Sequence, residues 1–217
     1  MNGFEKQELE TQGMMSRLFG SKPGHNALVE INNFLAESTA ATELTEEIVS
    51  NFIKNWGAKF DSSNIEYRSS MYRKVADYVY ISAVSKDDPV FEETRHLAQV
   101  LELPEKLQRL ADNGAKKVAY FSRCRKIISG EEPLTISEIN NVFGYDYEDG
   151  YDIRVQVFHD YLNKKFDEIA EQQRFSPDEE TALREICTKL DIPYEFKPNI
   201  QNALDKYRYL WSAENAP

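Results

Sequence analysis

Carboxylates are the most concentrated chemically active side chains in this sequence, and they lie between residues 131 and 152. This segment contains seven acidic residues and neither lysine nor arginine. Four of the acids are closely spaced: Asp146, Glu148, Asp149 and Asp152. Carboxylate oxygens bind divalent cations and also attract basic protein surfaces. We therefore predict a partner-binding or metal site at these four residues, with a solvated acidic loop as the alternative.

An EF-hand calcium loop is excluded for this segment. With Gly150 at loop position six, Tyr145 and Tyr147 would occupy positions one and three, where carboxylates are required. A divalent cation therefore stays open as a ligand, but without a known loop motif.

A basic stretch directly precedes the acidic segment. Lys116, Arg123 and Lys126 lie within one broad face of a predicted helix, an arrangement that could bind a phosphate or a carboxylate. We predict a candidate anion site there. Cations near a helix C-terminus also complement its dipole, and they can pair with the acids that follow. That purely structural interpretation remains the alternative.

The usual catalytic motifs are missing. The sequence has no GxSxG, P-loop or GxGxxG motif, and neither cysteine has a CxxC partner. One ExxH pair occurs at Glu93 and His96, whereas a di-iron bundle needs two such pairs. The remaining histidines are His25 and His159, with no metal-ligand spacing. We predict a non-enzymatic protein with no cofactor beyond the divalent cation left open above.

Composition restricts the function further. The chain has 217 residues, of which 26 are Lys or Arg and 37 are Asp or Glu, so its formal net charge is −11. Such a surface repels nucleic-acid backbones, which disfavours generic nucleic-acid binding, although an acidic inhibitor that mimics nucleic acid stays open. No apolar run is long enough to span a membrane, and the first residues do not form a signal peptide. We predict a cytoplasmic protein.

Apolar residues recur at intervals of three and four through most of the chain, which predicts helices rather than strands. Several helix boundaries are marked by capping residues, by Pro at a first helical position or by a terminal Gly, as at Asp88-Pro89, Thr135 with Glu138, Ser176-Pro177, Gly57, Gly130 and Gly144. Within the longest helix we expect Leu107, Leu110, Ala111, Val118, Phe121, Cys124 and Ile128 to face the core. The predicted helices begin near 26 and near Thr45, then cover 67–84, 88–104, Glu105–Ser129, 135–144, 153–170, 176–190 and 200–211.

The sequence also contains an internal repeat. A shift of 89 residues aligns Pro104 with Pro193 (193 − 104 = 89), and it aligns the residues before them as Leu-Glu-Leu-Pro with Leu-Asp-Ile-Pro. The same shift pairs Tyr72 with Tyr161 on the preceding helix. Each copy is predicted to contain a helix with this Tyr, a polar loop and an acidic helix. A hairpin of this kind exposes half its apolar face, which a second copy can cover.

The segment from Arg174-Phe-Ser-Pro-Asp-Glu-Glu to Leu-Asp-Ile-Pro193 resembles the tellurite-resistance TerB-like helical family, with a weaker similarity over 87–104. The resemblance covers about residues 67–198. It implies an all-α bundle of tandem helical hairpins. It also implies a bacterial protein of stress response or phage defence that serves as a scaffold. The residues before 67 resemble the front of larger bacterial proteins that continue into a second domain.

These observations lead to one predicted organisation. We expect a flexible leader over 1–24, an N-terminal helical pair over 25–66, duplicated hairpins over 67–198, and a C-terminal helix over 199–217 that could link to a further domain. The leading functional hypothesis is a helical interaction or scaffold module that binds a protein partner or a further domain of the same polypeptide. The alternatives are a divalent-metal-binding stress protein and the acidic nucleic-acid mimic.

Overall fold

The structure is a computed structural model, and it describes residues 33–38, 40–54 and 64–216. Regular structure in these ranges is helical, with no strand among them, which confirms the all-α prediction. The chain divides into two compact units between Ala119 and Tyr120. A short 3-10 helix, Ala41–Glu43, precedes the longer helices. These are α1 (Glu46–Lys54), α2 (Asn64–Ser82), α3 (Phe91–Val100), α4 (Glu105–Ser129), α5 (Ile136–Phe143), α6 (Tyr151–Gln172), α7 (Pro177–Lys189) and α8 (Pro198–Glu214).

The first unit, 1–119, builds its core mainly on α2. This helix is rich in Tyr and Val, which often favour strands, but its apolar residues recur at helical spacing and it is helical as predicted. Its fully buried residues contact the buried faces of α3 and the start of α4. The α2 members of this core are Met71, Tyr72, Val75, Ala76 and Val79. The tyrosine hydroxyl donates to Asp112 Oδ1 at 3.0 Å.

The start of α3 differs from the prediction. We expected Asp88 as N-cap and Pro89 as first helical residue, but α3 begins at Phe91 with Val90 as its N-cap. Asp88 instead accepts hydrogen bonds from the amides of Val90 (3.0 Å) and Val84 (2.9 Å). Its side chain therefore organises the turn before the helix, and backbone bonds of the 3-10 type lead from that turn into α3.

Helix α4 has the predicted bounds and ends at Gly130, whose φ of +77° is a left-handed value suited to glycine. Its buried face was predicted in part wrongly, because Leu110 is 60% exposed and Val118 is 51% exposed. Ala111 is buried as predicted, and Ala115 and Ala119, which follow it at intervals of four, are buried in place of Leu110 and Val118. Small side chains allow a close approach of neighbouring helices, so they occupy the inner face and turn the larger apolar residues outward.

The second unit, 120–217, shows the helix boundaries that the capping patterns predicted. Thr135 and Glu138 form a reciprocal capping box at the start of α5, and Gly144 ends that helix with φ +64°. Ser176 and Glu179 form a second capping box at the start of α7, with Pro177 in the first helical turn. The core of the unit consists mainly of Tyr120, Cys124, Ile127, Ile136, Ile139, Val142, Phe143, Val157, Phe158, Leu162, Ile169, Phe175, Leu183, Ile186, Cys187, Leu190 and Leu204.

The two copies of the repeat end their acidic helices with the same backbone geometry. Glu102 has φ +45° and Asp191 has φ +52°, and both are non-glycine residues in the left-handed region. In each copy the next amide closes a bond to a carbonyl five residues earlier, from Leu103 to Ala98 (3.2 Å) and from Ile192 to Cys187 (3.0 Å). This is the Schellman arrangement. The spacing of 89 residues is therefore reproduced at the level of individual hydrogen bonds.

Part of the predicted organisation lies outside the described residues. This applies to the leader over 1–24, to most of the helix predicted from residue 26, and to the predicted helix end at Gly57. Residues 33–37 of that first helix are described and are helical. Within the described ranges, none of the helices combines the length and the apolar character needed to cross a membrane.

Candidate functional site

Residues 146–149 form a hydrogen-bonded turn before α6, and Asp152 follows in the first turn of that helix. Asp146 Oδ1 accepts from the amides of Glu148 (2.9 Å) and Asp149 (3.0 Å), and Asp149 Oδ2 accepts from the amide of Asp146 (3.0 Å). Two of the four predicted site carboxylates therefore stabilise the turn itself. All four side chains are exposed. Glu148 and Asp152 have no such role in the turn, so their carboxylates are the ones available to a partner.

A buried arginine lies beneath this acidic turn. Arg154, in the first turn of α6, is 0% exposed. Its Nη2 donates to the Tyr147 carbonyl at 3.1 Å, and its Nη1 donates to the Tyr120 hydroxyl at 3.0 Å. The guanidinium carbon lies 4.6 Å from the centre of the Tyr147 ring and 5.7 Å from that of Tyr151. Aromatic faces and neutral oxygens thus stabilise a cation that burial alone would strongly destabilise.

Tyr120 connects the arginine to α5. Its hydroxyl accepts the Arg154 bond and donates to Asn140 Oδ1 at 2.7 Å. Burial raises the pKa of Tyr120 to about 12, against the opposing effect of the Arg154 hydrogen bond. The ring lies directly against Gly150, the last residue before α6, where a Cβ atom would stand 2.5 Å from both Cζ and the hydroxyl oxygen. This position therefore needs glycine for space.

The exposed side of the turn is anchored to α7. Tyr147 is 44% exposed, and its hydroxyl donates to the carbonyl of Asp191 at 3.2 Å. Asp191 is the left-handed residue that ends α7. The turn is therefore attached at both of its faces, through Arg154 on the inside and through Tyr147 on the outside. These contacts fix the backbone that carries the exposed Glu148.

The predicted basic residues have different environments. Arg123 is only 4% exposed, and its Nη1 lies 3.9 Å from Glu132 Oε1. Lys116 is half-buried with its Nζ 5.7 Å from the centre of the Tyr80 ring, whereas Lys126 is exposed. Arg123 is therefore not part of an exposed basic face. Its partner Glu132 belongs to the acidic segment, as the alternative interpretation of this stretch anticipated.

The two cysteines and His96 lie in buried or half-buried positions, whereas His25 lies outside the described residues. Burial raises the pKa of Cys124 to about 12 and that of Cys187 to about 11, so both buried thiols are weak nucleophiles near neutral pH. His96 is half-buried, with Nε2 2.7 Å from the Leu44 carbonyl oxygen. Across residues 33–38, 40–54 and 64–216, no three His, Cys, Asp or Glu side chains come together in a way that could hold a metal ion.

Sequence reasoning missed Arg154, Tyr120 and Gly150. One signal was present: Arg154 precedes Val157, Phe158 and Tyr161 by three, four and seven residues, so it occupies a position of the apolar stripe of α6. A charged residue at such a position indicates either a buried polar contact or a helix end. The aromatic partners of Arg154 come from other elements, and the helical pattern does not identify them.

Comparison of the chain with protein-family models, with curated proteins and with solved structures finds no match in any of the three.

Proposed function

We propose that this chain is a non-enzymatic helical interaction module. The observation that carries the proposal is the exposure of Leu110 and Val118 on α4. Both lie in the first unit, eight residues apart, which places them about 12 Å apart along the helix and about 80° apart around it. Gly114 lies between them and exposes no side chain of its own. Contiguous exposed apolar patches mark surfaces that bind another protein, and we propose that Leu110 and Val118 belong to such a patch.

The surroundings of Leu110 support a binding surface. Together with Leu107 and Ala111 on α4, and with Ser69, Ser70, Arg73 and Lys74 on α2, it lines a groove of about 420 Å³. The Arg73 guanidinium lies on Gly114, where a Cβ atom would come within 2.1 Å of its Nη1. An apolar side chain of a partner would fill this groove beside Leu110. Burial of one Leu-sized side chain contributes about 1.5–3 kcal/mol.

The acidic turn of the second unit provides a separate contact. Glu148 is exposed on the turn and Asp152 in the first turn of α6, and contacts of Arg154 and Tyr147 fix the backbone there. A backbone held in this way loses little conformational entropy when its carboxylates bind a basic segment. We therefore assign this turn to electrostatic recognition of Lys or Arg on a protein partner.

The resemblance to the TerB-like family gives the proposal its biological setting. The duplicated Schellman ends at Glu102 and Asp191 support tandem hairpins related by duplication. On this basis we propose a TerB-like arrangement in a bacterial, cytoplasmic scaffold of stress response or phage defence.

Site-specific photocrosslinking tests the apolar surface. Benzoyl-phenylalanine is introduced at position 110 or 118, and at Asn113 as a control on an exposed position of the same helix. In cells that express the protein, we expect one partner protein to be crosslinked from 110 and 118 and not from 113. The double variant Leu110→Gln/Val118→Gln should release that partner. If positions 110 and 118 give no adduct, or the same adducts as position 113, this surface does not bind a protein.

The acidic contact has its own test with the purified partner. The double variant Glu148→Gln/Asp152→Asn removes two carboxylates that the turn does not use, and Glu171→Gln/Glu185→Gln removes two exposed carboxylates elsewhere as a matched control. We expect the first variant to weaken binding and reduce its salt dependence, while the control changes neither. Equal affinities of the two variants would rule out the acidic turn as a contact.

A further inference from the structure

A second surface groove lies within the second unit, between the last two turns of α4 and the middle of α6. Its volume is about 550 Å³. Ile128 and the buried Val157 contribute apolar side chains to it, and half-buried Tyr161 adds an aromatic ring. The polar lining consists of Arg125, Ser129, Asp160, Asn163 and Lys164. Ligand sites of small molecules commonly have such a volume and a partly apolar lining.

The two cations of this groove are Arg125 and Lys164, and neither forms an ion pair within the described residues 120–216. Within residues 120–216, ion pairs connect Arg123, Lys165, Arg184 and Arg208 to acidic side chains, and they include neither Arg125 nor Lys164. Both are exposed, one on α4 and the other on α6. Asp160 is the single acid in the lining. In a chain with a formal charge of −11, this groove is therefore a local site of positive charge next to an apolar surface.

We propose that this groove binds a small amphiphilic anion, a carboxylate joined to an apolar chain. The lining residues of α6 extend from Val157 to Lys164, which corresponds to about 10 Å of helix. This length is too short for a partner helix of several turns but sufficient for a short apolar chain. The apolar chain lies against Ile128 and Val157, and the carboxylate is bound by Arg125 and Lys164 through charge-assisted hydrogen bonds.

The proposal differs from the anion site predicted at Lys116, Arg123 and Lys126. Arg123 is buried, whereas Arg125, two residues later on α4, is exposed and lines the groove. Lys164 comes from another helix, 39 residues further along the chain (164 − 125 = 39), so the spacing on one helix could not reveal it. Lys126 is exposed but does not line the groove.

Decanoate is the probe for the test, added to the full chain below the concentration at which it forms micelles. Binding is measured by calorimetry and located by NMR shift changes. We expect decanoate to shift residues of the groove, and we expect decanol, which lacks the charge, and butyrate, which lacks the long chain, to bind at least about tenfold more weakly.

Four variants, all at exposed positions, distinguish this site from general electrostatic attraction. Arg125→Gln and Lys164→Gln should each weaken decanoate binding about tenfold, and Lys126→Gln, adjacent on α4, should leave it unchanged. Asp160→Asn should strengthen binding, because it removes the one opposing charge in the lining. The proposal is wrong if decanol binds as tightly as decanoate, if the shifts lie outside the groove, or if Arg125→Gln and Lys126→Gln have equal effects.

Discussion

Replacement of Gly150 by alanine tests the packing beneath the acidic turn. Gly150 has φ −99°, so alanine is compatible with its backbone, and the cost is one of space alone. The new Cβ would stand 2.5 Å from Tyr120 Cζ and Oη and 2.8 Å from Cε1. Optimal carbon contacts are about 3.5–4.0 Å, so the ring must move by about 1 Å. Tyr120 is fully buried and bonded to Asn140 and Arg154, so this movement strains two hydrogen bonds.

Three contributions set the stability cost of Gly150→Ala: overpacking, a weakened hydrogen bond and the entropy of the unfolded chain. Overpacking costs about 1–3 kcal/mol, and one weakened hydrogen bond adds about 1 kcal/mol. Alanine offsets about 0.5–1 kcal/mol because it restricts the unfolded chain more than glycine does. We expect a net loss of about 2 kcal/mol in the free energy of unfolding, measured by urea denaturation. For a unit of about 100 residues this corresponds to a decrease in Tm of roughly 8–16 °C.

Two further variants identify the cause of that loss. Gly144 has φ +64° and no atom near its hypothetical Cβ, so Gly144→Ala should cost about 1–2 kcal/mol through backbone strain only. The stability cost of Gly144→Ala should therefore be the same in the original protein and in a Tyr120→Phe background. Tyr120→Phe removes one of the two closest atoms, so Gly150→Ala should cost less in that background, with a coupling of about 0.5–1 kcal/mol. A Gly150→Ala protein as stable as the original, or zero coupling to Tyr120→Phe, would falsify the proposed packing.

Two other predictions concern the tyrosines and the helix ends. Burial raises the pKa of Tyr120 and Tyr194 to about 12, and that of Tyr72 still further, so these phenols stay protonated in the folded state at pH values where the unfolded chain ionises. The free energy of unfolding should therefore be unaffected below about pH 10 and fall as the pH rises above it, and Tyr120→Phe should reduce this fall; an unfolding free energy that stays constant above pH 10, or a fall of equal size in the variant, would contradict the explanation. Glu102→Gly and Asp191→Gly should each stabilise by about 1 kcal/mol in thermal unfolding, because glycine tolerates left-handed φ values, and a loss at either position would show that the side chain matters more than the backbone.

The helices were largely predictable from sequence because their ends carry local signals. The capping boxes at Thr135 and Ser176 and the terminal glycines Gly130 and Gly144 act within a few residues, so the pattern alone identifies them. The start of α3 was misplaced because an Asp-Pro pair favours a turn as strongly as a helix start. Such local signals cannot distinguish the two outcomes.

The faces of the helices were harder to predict than their bounds. Periodicity places Leu110 and Val118 in the core together with Ala111 and does not select Ala115, but which stripe is buried depends on how closely the neighbouring helix approaches. The same limitation applies to the candidate sites. The acidic turn was recognisable from its composition, whereas its anchor at Arg154 depends on Tyr120, which lies 34 residues earlier.

The glycine in the middle of α4 has a consequence for the dynamics of the longest helix. Gly114 accommodates Arg73, but glycine within a helix costs about 1 kcal/mol relative to alanine. The hydrogen bonds around residue 114 are therefore the weakest point of a helix of 25 residues. Amide hydrogen exchange should show that α4 opens in two segments, one before this glycine and one after it. The amides of each segment should be protected to a different degree. We therefore expect a helix that is continuous in geometry but divided in its local stability.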